Sequence, residues 1–286
     1  KNSKNNLVVA NANNIFINSN GTGELITSTI NASSSQGPSD DGRIKPDITG
    51  LGTQILSASN TSNNSYSNST GTSMSAPNVA GSLLLLQEHY NNVNNNFMKS
   101  STLKAVSLIT ADDAGNIGPD AIFGWGILNS KKSIELINQS SNGSSLIQEK
   151  TLNNNQSINF DIMPDGQNKL KVGIVWTDPA GLNQTGSTNS TVPALVNDLD
   201  IRVYDIDNNE YLPWKLDINN VAASAIKGDN TVDNVEVIQI DFPSTTPYNV
   251  IINHKDNLEN NQQDVSIVAT GINSHTLSQN NFEVNK

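Results

Sequence analysis

"GTSMSAPNVAG", residues 71–81, carries more chemical information than any other stretch of this chain. Gly71 and Thr72 lead into Ser73, and from 73 to about 90 apolar residues recur at helix spacing: Ala76, Val79, Ala80, Leu83 and Leu86. Leu84 and Leu85 widen that face, so the segment is nearly apolar all round until Gln87, which predicts a helix buried in a large core. A serine at the start of such a helix has two readings. Either Thr72-Ser73 is a polar N-cap after a glycine, or Ser73 is a nucleophile placed where unpaired N–H groups and the helix dipole favour a developing negative charge. Gly71 is expected to let backbone approach closely, and Ala80 and Gly81 to keep the buried side of the helix thin. Pro77 falls about five residues into the helix, where its missing N–H costs stability. A local rule broken there points to a functional constraint.

Working outward, residues 1–138 mix strand and helix patterns. "NLVVANA" (6–12), "GRIKPDITGLG" (42–52) and "TQILSAS" (53–59) read as extended segments, and helices are predicted over 101–111 and over 130–137 with Asn129 as N-cap. "NNVNNNF" (91–97) reads as a solvated loop, and residues 139–145 as a linker. Beyond it the period changes to two. Ile158, Phe160 and Ile162 alternate, as do Leu170, Val172, Ile174 and Trp176; Leu199, Ile201 and Val203; Ile238, Ile240 and Phe242; and Val265, Ile267 and Ala269. Short alternating strands separated by Asn, Gly, Pro and Asp turns predict an antiparallel sandwich over 146–271, and 272–286 shows no period and reads as a tail. The fold class is thus an α/β unit followed by an all-β, jelly-roll-like sandwich.

Composition narrows the partners. A net charge of −11 and a pI near 4.6 argue against nucleic acid and anionic membrane surfaces. The absence of cysteine excludes disulfides and thiol chemistry. No apolar run approaches the ~20 residues that span a bilayer. About one residue in six is Asn, a turn former. The opening "KNSKNNLVVANANN" has neither an initiator Met nor a signal peptide and reads like the middle of a longer chain.

The string from Gly71 to Gly81 closely resembles the serine box of the subtilisin-like serine proteases, G-T-S-M-A-x-P-H-V-A-G, with Ser75 for Ala and Asn78 for His. "SSSQGPSDDGRIKPDITGLG" (33–52) looks like the segment that precedes that box in the family, with Gly50-Leu51-Gly52 for Ala-Pro-Gly, a change expected to loosen the loop. "STLKAVSLITADDAGNIGPDAIFGWGILNSKKSIELI" (101–137) resembles the end of the catalytic domain. "KLKVGIVWTDPAG", "PALVNDLDIRVYD" and "DNVEVIQIDFP" resemble the C-terminal sandwich of a subset of bacterial subtilases. The resemblance implies a parallel-sheet catalytic domain and peptide-bond hydrolysis through an acyl-enzyme on Ser73, with Gly71, Thr72 and Ser73 forming the nucleophile and oxyanion loop. It implies protein or peptide substrates and a secreted enzyme.

The same resemblance exposes what is missing. Triad order in that fold is Asp, His, Ser, yet His89, His254 and His275 all follow Ser73. His89 lies 16 residues along the same helix, roughly 24 Å away at 1.5 Å per residue. Asp47 matches a structural Lys-Pro-Asp rather than the triad acid, and the register places Asn11, Asn13 and Asn14 on a strand after the oxyanion asparagine. The chain is therefore expected to correspond to the C-terminal part of a subtilase, inactive alone, with a raw sheet edge and with the N-terminal part of the catalytic domain as its partner. A non-catalytic relative using the sandwich for binding or secretion, and one chain of a split or nicked protease, are the alternatives. No cofactor is needed for the chemistry. Asp178, Asn197, Asp198 and Asp200 suit a structural Ca²⁺ if they converge, and otherwise form a solvated strand face; Asp233 and Glu236 are weaker candidates.

Overall fold

A computed structural model describes residues 3–20, 22–183, 189–277 and 282–284. In the first half, β1 (Val9–Ile17) pairs in parallel with β3 (Ile48–Leu51) and antiparallel with β2 (Leu25–Ile30), giving the order β2-β1-β3. The outer edge of β3 is not raw: Thr49 donates to the Gly126 carbonyl at 2.9 Å, and Leu128 donates to Thr49 at 3.0 Å. β4 (Ile55–Ala58) and β5 (Tyr66–Ser69) form a hairpin that leads directly into α1 (Thr72–Asn94). α2 (Ser100–Ile109) and α3 (Ser130–Ser140) follow, the latter capped by Asn129, whose side chain accepts from the Lys132 N–H at 3.0 Å. α1 runs four residues past the expected end, through Asn91–Asn94, and stops where Asn95 turns left-handed.

The second half is a sandwich. One sheet has the order β10-β9-β14-β7-β16 and comprises β7 (Gln156–Pro164), β9 (Leu199–Tyr204), β10 (Glu210–Tyr211), β14 (Tyr248–His254) and β16 (Ile272–His275). β17 (Phe282–Val284) also pairs with β7. Two strands thus come from the stretch without a sequence period, because an edge strand needs backbone pairing more than an apolar face; residues 278–281, 285 and 286 of that stretch lie outside the described residues. The other sheet, β13-β8-β15-β6, comprises β6 (Leu146–Asn153), β8 (Leu170–Trp176), β13 (Val235–Ile240) and β15 (Gln262–Thr270). A short hairpin, β11 (Trp214–Lys215) with β12 (Ile226–Lys227), leans on the first half, where Trp214 packs over Gly118. The alternating residues face each other across the sandwich core, with one exception: Phe242 lies beyond the end of β13 and is 96% exposed.

The four-stranded sheet is buried on both faces. Leu170, Val172, Ile174 and Trp176 of β8 point into the sandwich, whereas Val175 points the other way and joins Ile147, Val235, Val237 and Val268 in a second core with α2, α3 and Ile48. The stretch read as a linker is part of this junction, since α3 extends to Ser140 and buried Ser145 donates to the Leu136 carbonyl at 2.7 Å.

α1 departs from expectation. Only Ser75, Val79 and Leu86 are buried, while Leu84 and Leu85 are 71% and 63% exposed. A three-stranded sheet and α3 cover one side of the helix, and no described residue covers the opposite side.

Charged groups fasten the halves. Buried Asp47, at the head of β3, accepts from the Val8 N–H at 2.7 Å and from Lys45 Nζ at 2.6 Å, with Lys104 Nζ of α2 at 2.8 Å. Burial alone would raise its carboxyl, but Lys104 and Lys45 outweigh that and hold it below the usual range. Buried Asp233 of the second half accepts from the Ile44 N–H at 3.0 Å, and Asp41 accepts from the Ala194 N–H at 2.9 Å. Replacing Asp47 by Ala leaves two buried ammonium groups uncompensated and should cost about 3–5 kcal/mol in urea unfolding. Burial pushes the Asp233 carboxyl up to about 6, above its unfolded value. Its contribution to stability is therefore full below about pH 4 and lost as pH rises through 6. Unfolding curves of Asp233→Asn should show a flatter pH dependence than the parent between pH 4 and 7, and an unchanged slope would refute this assignment.

Candidate active site

Ser73 is the second residue of α1 and is exposed. The capping alternative fails on geometry: the N-cap is Gly71, no side chain caps the helix, and Thr72 and Ser73 both lie inside it. The first turn contains no acidic residue, so the positive end of the helix dipole is left for another negative charge. Pro77 sits within the helix and, lacking an N–H, leaves the Ser73 carbonyl without its i+4 partner.

The turn is fixed from beneath. Ser75, fully buried, donates its hydroxyl to the Ala10 carbonyl of β1 at 2.7 Å. Close backbone approach occurs at Gly52 rather than at Gly71. A Cβ on Gly52 would lie 2.5 Å from the Ser75 nitrogen and 2.6 Å from the Gly71 oxygen, whereas one on Gly71 would meet nothing nearer than 3.8 Å. Gly71 in turn donates to the Gly52 carbonyl at 2.9 Å, so the Gly50-Leu51-Gly52 segment is tied down rather than loosened. Ala80 and Gly81 face outward, and the thin side of the helix is its exposed side.

None of the histidines attends Ser73. His89, further along α1, pairs through Nε2 with Asn138 Oδ1 at 2.8 Å. His254 Nδ1 lies 2.6 Å from the Asp256 carbonyl, and His275 belongs to β16. Asn11 is buried in β1, where its amide donates to Thr53 Oγ1 at 3.3 Å. Asp47 is committed to Lys45 and Lys104. Among the described residues, Ser73 therefore has a nucleophile's position but no base.

The oxygens expected to gather around Ca²⁺ are not without protein partners. Asp178 binds the Lys4 ammonium and also accepts from the Val196 and Asn197 N–H groups, both at 2.8 Å. Asn197 accepts from the Glu259 N–H at 2.7 Å and donates to Gln263. Asp198 and Asp200 face Lys255 at 3.2 and 3.3 Å, and Arg202 reaches Asp200 at 2.9 Å. Nor do they form a solvated strand face, because Asp200 is buried. Burial, with a hydrogen bond shared with Asp229, pushes its carboxyl up to about 6. Glu236 is fully buried, and burial pushes its carboxyl well above the usual range. Among the described residues no group of three or more His, Asp or Glu side chains is arranged to hold a metal. Sequence reasoning missed Lys4, whose Nζ also donates to the Pro179 and Ala194 carbonyls, each at 2.6 Å; its partners lie more than 170 residues away, beyond any local pattern.

Comparison with known proteins relates the first part of the chain to one family. The model of the subtilase family, Peptidase_S8, matches residues 1–126. The chain is 34% identical over 131 residues to the PII-type proteinase of Lactococcus lactis subsp. cremoris, covering 40% of this chain and 7% of that one. It is 54% identical over 57 residues to the C5a peptidase of Streptococcus pyogenes serotype M18 (strain MGAS8232), covering 20% and 5%. The chain thus spans less than a tenth of the length of these relatives. Among solved structures, fervidolysin from Fervidobacterium pennivorans, described as a keratinolytic enzyme related to subtilisin, aligns over 96% of this chain and 50% of that one, with a TM-score of 0.36 and 12% identity. Through the matched first 126 residues, the chain is distantly related to the subtilase family of peptidases.

Proposed function

We propose that this chain is the serine-bearing part of a subtilisin-type endopeptidase that is exported and cleaves protein or peptide substrates. The observation that carries the reading is the exposed, non-capping Ser73 in a turn held by Ser75 and Gly52. In this reading the Ser73 hydroxyl attacks the scissile carbonyl, and its own N–H, unpaired at the helix start, is one donor to the oxyanion. The base that takes the serine proton, the acid that orients it and a second oxyanion donor come from a polypeptide segment beyond the described residues. That segment seats on the uncovered face of α1, around Leu84 and Leu85. Burying two leucines supplies about 1.5–3 kcal/mol each, which favours a covered over a bare helix.

A fluorophosphonate probe tests the assignment on the complete protein. Ser73 should be labelled, and Ser73→Ala should abolish labelling. This chain alone should react at least about 10³-fold more slowly, the order of loss that follows removal of a triad member. Absence of labelling in the complete protein would favour a non-catalytic relative. A Leu84→Glu/Leu85→Glu double variant should leave the fold of this chain intact and prevent the segment from restoring labelling when it is added as a separate polypeptide. Restoration undiminished by the charges would place the segment elsewhere.

A further inference from the structure

A cavity of about 410 Å³ lies where the end of α2, the outer side of α3 and the β7–β8 and β15–β16 turns meet. Its volume is in the range of small-molecule sites. Three lysines line it (Lys132 of α3, Lys169 in the β7–β8 turn and Lys171 of β8) in a chain whose net charge is −11. We propose that this cavity binds a small oxyanion, a phosphate or a di- or tricarboxylate, with Lys171 at its base and Lys132 and Lys169 closing over it.

Lys171 is the key group. Its Nζ donates one hydrogen bond, to the Ile109 carbonyl at the end of α2, at 3.1 Å. Among the described residues no carboxylate oxygen lies within 4.0 Å of it. An ammonium carries three donors, so two remain for a ligand. Lys132 and Lys169 are held at present by Asp112 at 2.5 Å and Asp241 at 2.8 Å, and both are substantially exposed, at 42% and 59% of the side chain. A ligand would compete for them with Asp112, which is buried, and with Asp241.

The negative charges that face the cavity are already engaged. Glu135 of α3 pairs with Lys131 at 3.7 Å. Asp165 accepts from the Gln167 and Asn168 backbone and from the Asn168 amide. Asp113, on the connection after α2, accepts from the Gly118 N–H at 3.1 Å. Burial pushes the Lys171 ammonium down to about 8, with Lys132 and Lys169 acting in the same direction and Asp113 and Asp112 opposing. A bound oxyanion would relieve that penalty, and its affinity should fall as pH rises through about 8. Because the cavity is lined by both halves of the chain, occupancy would also tighten their junction.

Calorimetric titration of the intact chain with inorganic phosphate and with citrate, each at matched ionic strength, tests the proposal. Saturable binding is expected, with amide shifts at Thr270, Gly271 and Asn273 in a parallel nuclear magnetic resonance titration. Lys171→Met should weaken binding at least tenfold, whereas Lys99→Met, at an exposed lysine outside the cavity, should leave it unchanged. Binding of phosphate alone, or of citrate alone, identifies which oxyanion the site takes. Absence of saturation by both up to about 20 mM, weaker than any millimolar site, would overturn the proposal, as would binding that Lys171→Met leaves intact. Should Lys171→Met fail to fold, the exposed pair Lys132→Gln/Lys169→Gln takes its place: a loss of affinity supports the site, and undiminished affinity rejects it.

Discussion

The carboxylate of Asp47 is the constraint on which the first half of the molecule depends. It is buried at the head of β3 and gathers three elements: the segment before β1 through the Val8 N–H, its own loop through Lys45, and α2 through Lys104. Its backbone carbonyl accepts from the Trp125 N–H at 2.9 Å, which fixes the turn before α3. A buried ion pair is weak as a source of stability, because desolvation cancels most of the attraction. It is strong as a constraint, because any arrangement that separates the carboxylate from either lysine leaves an unpaired charge in the interior. Two lysines are therefore tolerated in a core only while β1, β3 and α2 keep one mutual position.

That position matters because of what α2 rests on. The four-stranded sheet of the sandwich uses β8, β13, β15 and β6 twice, with one apolar face turned to its partner sheet and the other to α2 and α3. An antiparallel sheet commonly has one wet face; here the second face is roofed by the helices of the other half. The polar links across the junction, Lys4 to Asp178, Asp41 to the Ala194 N–H and Asp233 to the Ile44 N–H, set the register of an apolar contact that has no directional preference of its own. The sandwich thus serves the serine-bearing half as a second core.

Local patterns made much of this legible. The period of two located the inward residues of β7, β8, β9, β13 and β15, the Asn129 cap and α3 stood where expected, and the serine string marked the start of α1. What stayed hidden were properties of neighbours. Apolar residues all around α1 show that it can be covered on every side, not what covers it, and Leu84 and Leu85 are bare. Asp178, Asp198 and Asp200 show hard oxygens, but not that Lys4 and Lys255 reach them from 174 and 57 residues away. Val175, Val235, Val237 and Val268 broke the alternation in their strands, and that break was the available signal for a sheet covered on both faces.

The serine turn owes its shape to the sheet rather than to a catalytic partner. Ser75 hangs the first turn of α1 from the β1 backbone, and the absence of a side chain at Gly52 lets β3's extension pass against it. Both anchors lie beneath the helix, away from the exposed Ser73 hydroxyl. Pro77 then withholds the hydrogen bond that would have engaged the Ser73 carbonyl, and no acidic side chain occupies the first turn to neutralise the free N–H groups. Each of these features costs a helix stability when taken alone. Together they leave a rigid backbone carrying an unmatched positive potential beside an exposed hydroxyl. A negative charge formed beside Ser73 would meet that potential, whereas a capping side chain would have engaged the free N–H groups.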